Sequence, residues 1–383
     1  MSLRKQAELS TAIRESYTKL PFQGFWTWLT GKELAGRSPA RIISPIESLI
    51  WSIVLLVGGV AGSIIILNFH ANIFWLILTI IPTVSGSRYV VATIIHHGVH
   101  NGVFKTERSN KILCEILSTV TVVQPFDSYK KFHVHEHHGR EFSTLGDQDL
   151  VAIYTLGLRP GISVTHMKRI LVWQCVNPVF HARYLFGRIR SNVLSVPKYR
   201  LAMTFFWFAC LALLASLFGW VTFVISIVLP LTVLYQICSL LHLVTEHAWV
   251  LRKEGESVRA SHVKNSHARF CGRATPSNRL RGTHLAVAWT VWALEHVVIH
   301  LPTRMLIVQG SLVVHDWHHR AGADRGWPNA IQKREADLQR ELASGLCTYH
   351  DLWGISNVLN EVMTRISGAQ DPESLTGVKF RLN

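Results

Sequence analysis

Two long apolar blocks, each broken near its middle, organise the chain. Residues 45 to 67 carry only Glu47 as a charge, at their leading edge. In a helix rising about 1.5 Å per residue, some 20 such residues cross the hydrocarbon core of a bilayer. After the short stretch Asn68-Phe69-His70-Ala71-Asn72, a second run starts at Ile73 and continues with few polar interruptions to Arg88. Arg88 is expected to snorkel to an interface, and a helix continuing past it would lift residue 96 roughly 12 Å beyond that interface. The second block, 201 to 243, is too long for one crossing and divides at Gly219-Trp220. Pro230 is expected to kink its latter half, which bilayer helices tolerate when neighbours re-satisfy the backbone. The pattern predicts four spans in two hairpins, at about 45–67, 73–95, 201–218 and 221–243.

Two further apolar segments are read as lying at the interface. Residues 112 to 126 number only fifteen, contain Glu115 and end at Gln124-Pro125, too short for a span. Residues 284 to 314 are longer, yet Glu295, His296, His300, Pro302 and Arg304 interrupt their middle. The resulting expectation is an all-α integral membrane protein with an N-terminal segment (1–44), a membrane domain (45–320) and a C-terminal helical tail (321–383). A helical cap would come from 96–200 and 244–320. In the tail, helices are predicted near 329 to 344, with Asn329 capping and Gly345 ending the first, and near 351 to 367, with a loose end beyond.

Composition agrees with a large core in lipid or water, at 49% hydrophobic over 383 residues and mean hydropathy +0.23. The net charge of +15 invites a nucleic-acid partner, but its distribution argues against one. Lys and Arg crowd the segment before the first span and the stretches around 105–111, 183–200 and 252–281, whereas the short connections 68–72 and 219–220 have none. By the positive-inside rule, both termini and all large loops are expected in the cytoplasm. The first 44 residues lack the apolar core and small-residue cleavage site of a signal peptide. Six cysteines are scattered without Cys-x-x-Cys, so neither a disulfide framework nor a thiolate metal site is expected.

The candidate chemistry is histidine. Ten of the chain's 21 histidines fall in three clusters: His96-His97-Gly98-Val99-His100, His133-Val134-His135-Glu136-His137-His138 and His315-Asp316-Trp317-His318-His319. Neutral imidazole binds zinc, copper and iron. His96 with His100, His133 with His137, and His315 with His319 each fit one helix face at i and i+4. With two hairpins and no other crossing, all three clusters lie on one side of the membrane and can build one site.

At this point the chain resembles the membrane fatty acid desaturase superfamily, whose members carry three histidine boxes, H-x(3,4)-H and two of H-x(2,3)-HH, around two membrane hairpins. The likeness covers roughly 45 to 320. It implies metal ligands at His96 and His100, at His133, His137 and His138, and at His315, His318 and His319, with His247 of Thr245-Glu246-His247 as a further ligand from the end of the fourth span. Gly146-Asp147-Gln148-Asp149 looks like the family's acidic stretch after the second box. His97 and His135 either point away from the metals, hydrogen-bond a ligand or replace one. His242 either orients His247 through Glu246 or belongs to the core, and Glu246 is read as a partner of a ligand, a carboxylate ligand also being chemically reasonable. His296 and His300 form another i,i+4 pair that either lines a substrate entrance or replaces a box histidine. His70, His166, His181, His262, His267, His284 and His350 are read as surface or structural. Trp249, Trp289, Trp292 and Trp317 either shape a channel or form an interfacial belt.

The resemblance implies a site of two Fe ions that uses O2 and external electrons to take hydrogen from an unactivated C–H bond of a lipid or acyl chain. No G-x-G-x-x-G fingerprint or fused haem module is present, so the electron donor would be a separate ferredoxin, rubredoxin or cytochrome b5-like protein, and basic loops would favour an acidic one. Desaturation leads the expectations; a hydroxylase or ketolase on the same scaffold is the nearest alternative. A metal transporter with histidine loops would place polar ligands at mid-membrane, where these spans have almost none. A zinc hydrolase would leave two clusters unexplained.

Overall fold

The computed structural model describes residues 2–37, 41–69, 71–277 and 279–369; His70 and the expected loose end of the tail beyond 369 lie outside them. Among the described residues the chain is mostly helical. Five helices are long and apolar enough to cross a membrane: Pro45–Asn68, Ile73–Val99, Lys198–Phe218, Trp220–Glu246 and Gly282–Ile307. The first four follow the two predicted hairpins, each running a few residues past the expected bounds. The fifth exceeds the predicted number, because Glu295 and Arg304 are too few charges to lower the hydropathy of that segment.

The first long helix starts where Ser44 accepts from the Glu47 amide and Pro45 sets the first turn, a preferred arrangement for a helix N-terminus. It packs closely on the second through small residues. A Cβ at Gly59 would collide with Thr83, and one at Gly86 with the backbone of Leu56, so glycine at both positions permits the approach. Their outer faces stay apolar and exposed at Ile50, Trp51, Val54 and Val57, as do Phe205, Phe206 and Leu213 of the third. Gly219, at φ 82°, turns the third helix into the fourth. Around Pro230 the fourth widens into π-turns at Val224–Val228 and Pro230–Leu234.

The second long helix passes through a π-turn at Val90–Ile95 before presenting His96. Arg88 does not snorkel outward as expected; it is buried. Of the segment read as interfacial at 112–126, residues 112–120 belong to the short helix Glu107–Val120, and its Glu115 pairs with buried Arg200 at 2.8 Å.

The tail packs into the body. Val358, Val362, Met363 and Ile366 of helix Ile355–Ser367 are buried with Leu240, Val244 and Trp249. Ala330–Ala343 matches the first predicted tail helix. Asn329 does not cap it by its side chain but exchanges two hydrogen bonds with the Ile43 backbone. Residues 351–353, expected to open a helix, instead form a strand, Asp351–Trp353, parallel to Ala268–Phe270 with Ala268 opposite Asp351. In that strand Asp351 accepts from buried Arg334 at 2.7 Å and lies 3.5 Å from Lys32.

Candidate metal centre

Nine histidine side chains converge in two adjoining groups. The first holds His96, His100, His133, His138 and His318; the second holds His137, His247, His315 and His319. These are the nine positions named above as prospective ligands. Within each group the ring nitrogens that could bind an ion lie within 4.8 Å of one another. The groups touch where the rings of His138 and His319 stack at 4.0 Å.

Local helix geometry decides which ring goes where. Residues 131–140 wind as a π-helix, in which i and i+5 share a face. His133 therefore joins His138, not His137 as the i,i+4 spacing suggested, and His137 turns into the second group. His315 and His319 do keep the i,i+4 relation, with Nε2 atoms 3.0 Å apart, while His318 faces the first group.

The donor set fits a metal. Nε2 of His96 lies 2.7 Å from Nε2 of His318, and Nε2 of His319 lies 3.1 Å from that of His247. Nε2 of His137 is 3.3 Å from that of His247, and Nε2 of His100, His133 and His138 are buried with no hydrogen-bond partner. Lone pairs crowded together in a dry site repel unless a cation lies among them. Burial holds the His133, His138, His247, His315, His318 and His319 imidazoles well below their usual pKa, and that of His100 at about 4. They are therefore neutral donors at neutral pH.

His137 is the exception. Burial alone would depress it, but the Asp147 carboxylate at 3.1 Å from Nδ1 raises it to about 9. Asp147 also caps helix Gln148–Thr155 by accepting from the Asp149 amide, so one fixed carboxylate orients the His137 ring. Glu246 does not address His247 as anticipated. Its Oε1 lies 3.2 Å from Nε2 of His242 and 3.0 Å from Nε2 of His315, and His247 instead sets Nδ1 3.3 Å from the Ser266 hydroxyl.

The remaining histidines divide clearly. His97 is buried beside the site, its Nε2 2.8 Å from Ser311 and its ring stacked on Trp327 at 4.2 Å, but it joins neither group. His135 is exposed and joins neither. His296 and His300 stand apart: His296 bonds Tyr17 at 2.8 Å and stacks on Trp292. His262, read as peripheral, lies buried against the site, stacked on Phe142 at 4.0 Å and 4.6 Å from the His319 ring. His262, with no cluster neighbour in sequence, gave no signal of this placement, whereas the acidic stretch holding Asp147 was visible but its pairing with His137 was not.

A cavity of about 490 Å³ opens beside the first group. His96, His133, Tyr129, Glu246, Arg88, Val91, Ala92, Ile95 and Leu243 are among its lining residues. None of Trp249, Trp289, Trp292 and Trp317 lines it. Trp249, Trp292 and Trp317 are instead buried, with Trp249 donating to the Leu243 carbonyl and Trp317 to Asp337.

Fold and site define the class together: a mostly helical chain with five helices long and apolar enough to cross a membrane and buried histidine groups that could hold metal. The sequence profile of the fatty acid desaturase family matches residues 73–280, over half of the chain, and the protein belongs to that family. Membership implies oxidoreductase activity and a lipid substrate. No curated protein and no solved structure matches the chain significantly.

Proposed function

We propose that the protein is a membrane-bound, O2-dependent oxidoreductase that desaturates an acyl or related lipid chain at a site of two irons. The observation carrying this reading is the two adjoining groups of nine histidines with a cavity against the first of them. His96, His100, His133, His138 and His318 would hold one iron, and His137, His247, His315 and His319 the other. When bound, the irons supply O2 reduction and the capacity to take hydrogen from an unactivated C–H bond.

The chain's own residues prepare that chemistry. The Nδ1–H of His137 donates to Asp147, which leaves Nε2 free to face inward. Glu246 lines the cavity and presents the acceptor Oε1 to the Nε2 atoms of both His242 and His315. Val91, Ala92, Ile95 and Leu243 exclude water from the chain being oxidised. No side chain stores reducing electrons, so a separate ferredoxin, rubredoxin or cytochrome b5-like donor is required, and the net charge of +15 favours an acidic one.

The proposed topology keeps four spans, with both termini and the site cytoplasmic and Gly282–Ile307 lying along the interface. Support comes from that segment's flanks, since Cys271 before it and Val308 after it pack in one cluster. Accessibility of a single cysteine placed at Thr283 checks this; labelling only from the far side of the membrane would reject it.

The central test is mass analysis of lipids incubated with the purified protein, O2 and a reductase system, alongside iron analysis. Loss of two hydrogens per product supports desaturation and gain of one oxygen supports the hydroxylase alternative. Zinc or no tightly held metal rejects the reading.

A further inference from the structure

Six arginines are among the largest fully or nearly fully buried side chains: Arg14, Arg88, Arg200, Arg269, Arg304 and Arg334. Five use their donors in evident ways. Arg200 pairs with Glu115 and Arg334 with Asp316 and Asp351, while Arg14, Arg269 and Arg304 donate to backbone carbonyls. Arg88 differs. It is 2% exposed, its Nε and one terminal nitrogen are buried without a partner, and no carboxylate among the described residues forms an ion pair with it. Guanidinium stays charged in proteins, and an unpaired buried charge is strongly unfavourable.

Arg88 lines the cavity beside the metal centre. Its charge sits 5.3 Å from the centre of the Tyr235 ring, with Arg188 4.7 Å from the same ring. Arg188 donates to the carbonyls of Thr121, Val122 and Leu231, so it adds positive potential while its donors are occupied. The two carboxylates that line the cavity, Asp149 and Glu246, are directed to His137 and to His242 and His315. The counter-charge for Arg88 is therefore missing among the described residues. Between Arg88 and His96, the same helix offers Val91, Ala92 and Ile95 to the cavity as an apolar strip.

We propose that Arg88 binds the anionic end of the substrate, which is an amphiphile ending in a carboxylate or phosphate whose chain runs along Val91, Ala92 and Ile95 to His96. This rests on the reading of the cavity as the substrate site. It makes Arg88 a specificity-determining residue. Eight residues of helix separate Arg88 from His96, about 12 Å at α-helical rise, so the anion fixes which part of the chain meets the metals. A guanidinium matches both anions through paired N–H bonds.

The test is binding of radiolabelled palmitate to the full-length protein as purified, without a reductase system, in maltoside micelles, displaced by unlabelled palmitate, hexadecyl phosphate, hexadecanol or inorganic phosphate. At least one of palmitate and hexadecyl phosphate should displace the label about ten- to hundredfold better than hexadecanol, the span expected for hydrogen bonds to a charged group. The better of the two identifies the head group as carboxylate or phosphate. Arg88→Gln should abolish the preference over hexadecanol and Arg88→Lys should retain part of it. Even if R88Q fails to fold, the head-group preference of the unaltered protein and the R88K result decide the matter. Equal displacement by hexadecanol, undiminished preference in R88Q, absence of palmitate binding, or displacement by inorganic phosphate at the palmitate concentration would each overturn the proposal. Iron content of the untreated protein tests the oxidase reading separately, so either can fail alone.

Discussion

The two histidine groups adjoin but are supported by different chemistry. In the second group the far nitrogen of His137 is held by Asp147 and that of His247 by the Ser266 hydroxyl, while Glu246 meets His315 at Nε2, the nitrogen that faces His319. Among the described residues no carboxylate bonds a ring of the first group. There the Tyr129 hydroxyl is a loose 3.5 Å from Nδ1 of His96, and the Tyr129 ring stacks on His133. A histidine whose far N–H meets a carboxylate is a more basic and better oriented ligand. On the proposed reading the second group would hold a metal firmly, and the first, which shares His96 and His133 with the cavity wall, would stand next to substrate.

The largest effect that can break this contrast is loss of a ring. His318→Ala in the first group and His247→Ala in the second should each lower activity by more than about a hundredfold, beyond what loss of an outer partner costs. Each should also lower tightly held metal from about two ions per chain to about one. Full metal content in His247→Ala would show that the second group is not a site.

Next in size is Asp147→Asn, which keeps the shape but removes the charge that raises His137 to about 9. Metal affinity of the second group should fall about ten- to hundredfold. Titration with a chelator followed by metal analysis checks it. The unaltered protein should release its ions in two stages, and the substitution should merge them. Two stages that survive in Asp147→Asn would mean that the carboxylate does not distinguish the groups.

Most of this architecture was legible in the sequence, and the exceptions have physical causes. Apolar runs located the first four long helices because a bilayer demands about 20 apolar residues whatever the tertiary context. The histidine clusters stood out because metal chemistry concentrates one residue type. Their partition between groups was not readable, since it depends on a π-turn that no residue at 131–140 announces. His296 and His300 satisfied the same i,i+4 rule as the boxes, yet their helix turns them to Tyr17, Trp292 and Gly354. Asp147, His262 and Arg88 become meaningful only in three dimensions: Asp147 beside His137, His262 beside His319 and Arg88 on the cavity wall.

A smaller effect tests the weakly supported half. Tyr129→Phe keeps the ring against His133 and removes only the hydroxyl near His96. One neutral hydrogen bond of marginal length predicts a loss of about fivefold or less in activity, with metal content unchanged. A loss as large as that of Asp147→Asn would mean that the first group also relies on an outer partner.

The smallest expected effect falls at His135, and it tests the helix period on which the two-group contrast stands. With 3.6 residues per turn, an α-helix would pair His133 with His137 and carry His138 about 100° away. The π-helix at Lys131–Arg140 instead pairs His133 with His138 and leaves His135 exposed between them. His135→Ala should therefore leave metal content and activity unchanged and shift stability by no more than about 0.5 kcal/mol, as at an ordinary surface position. His133→Ala and His138→Ala should both empty the first group, and His137→Ala the second. Stepwise chelation of these four variants reads the period directly. If His133→Ala and His137→Ala empty the same site, the segment is α-helical at the metals and the division into a held and a substrate-facing group fails.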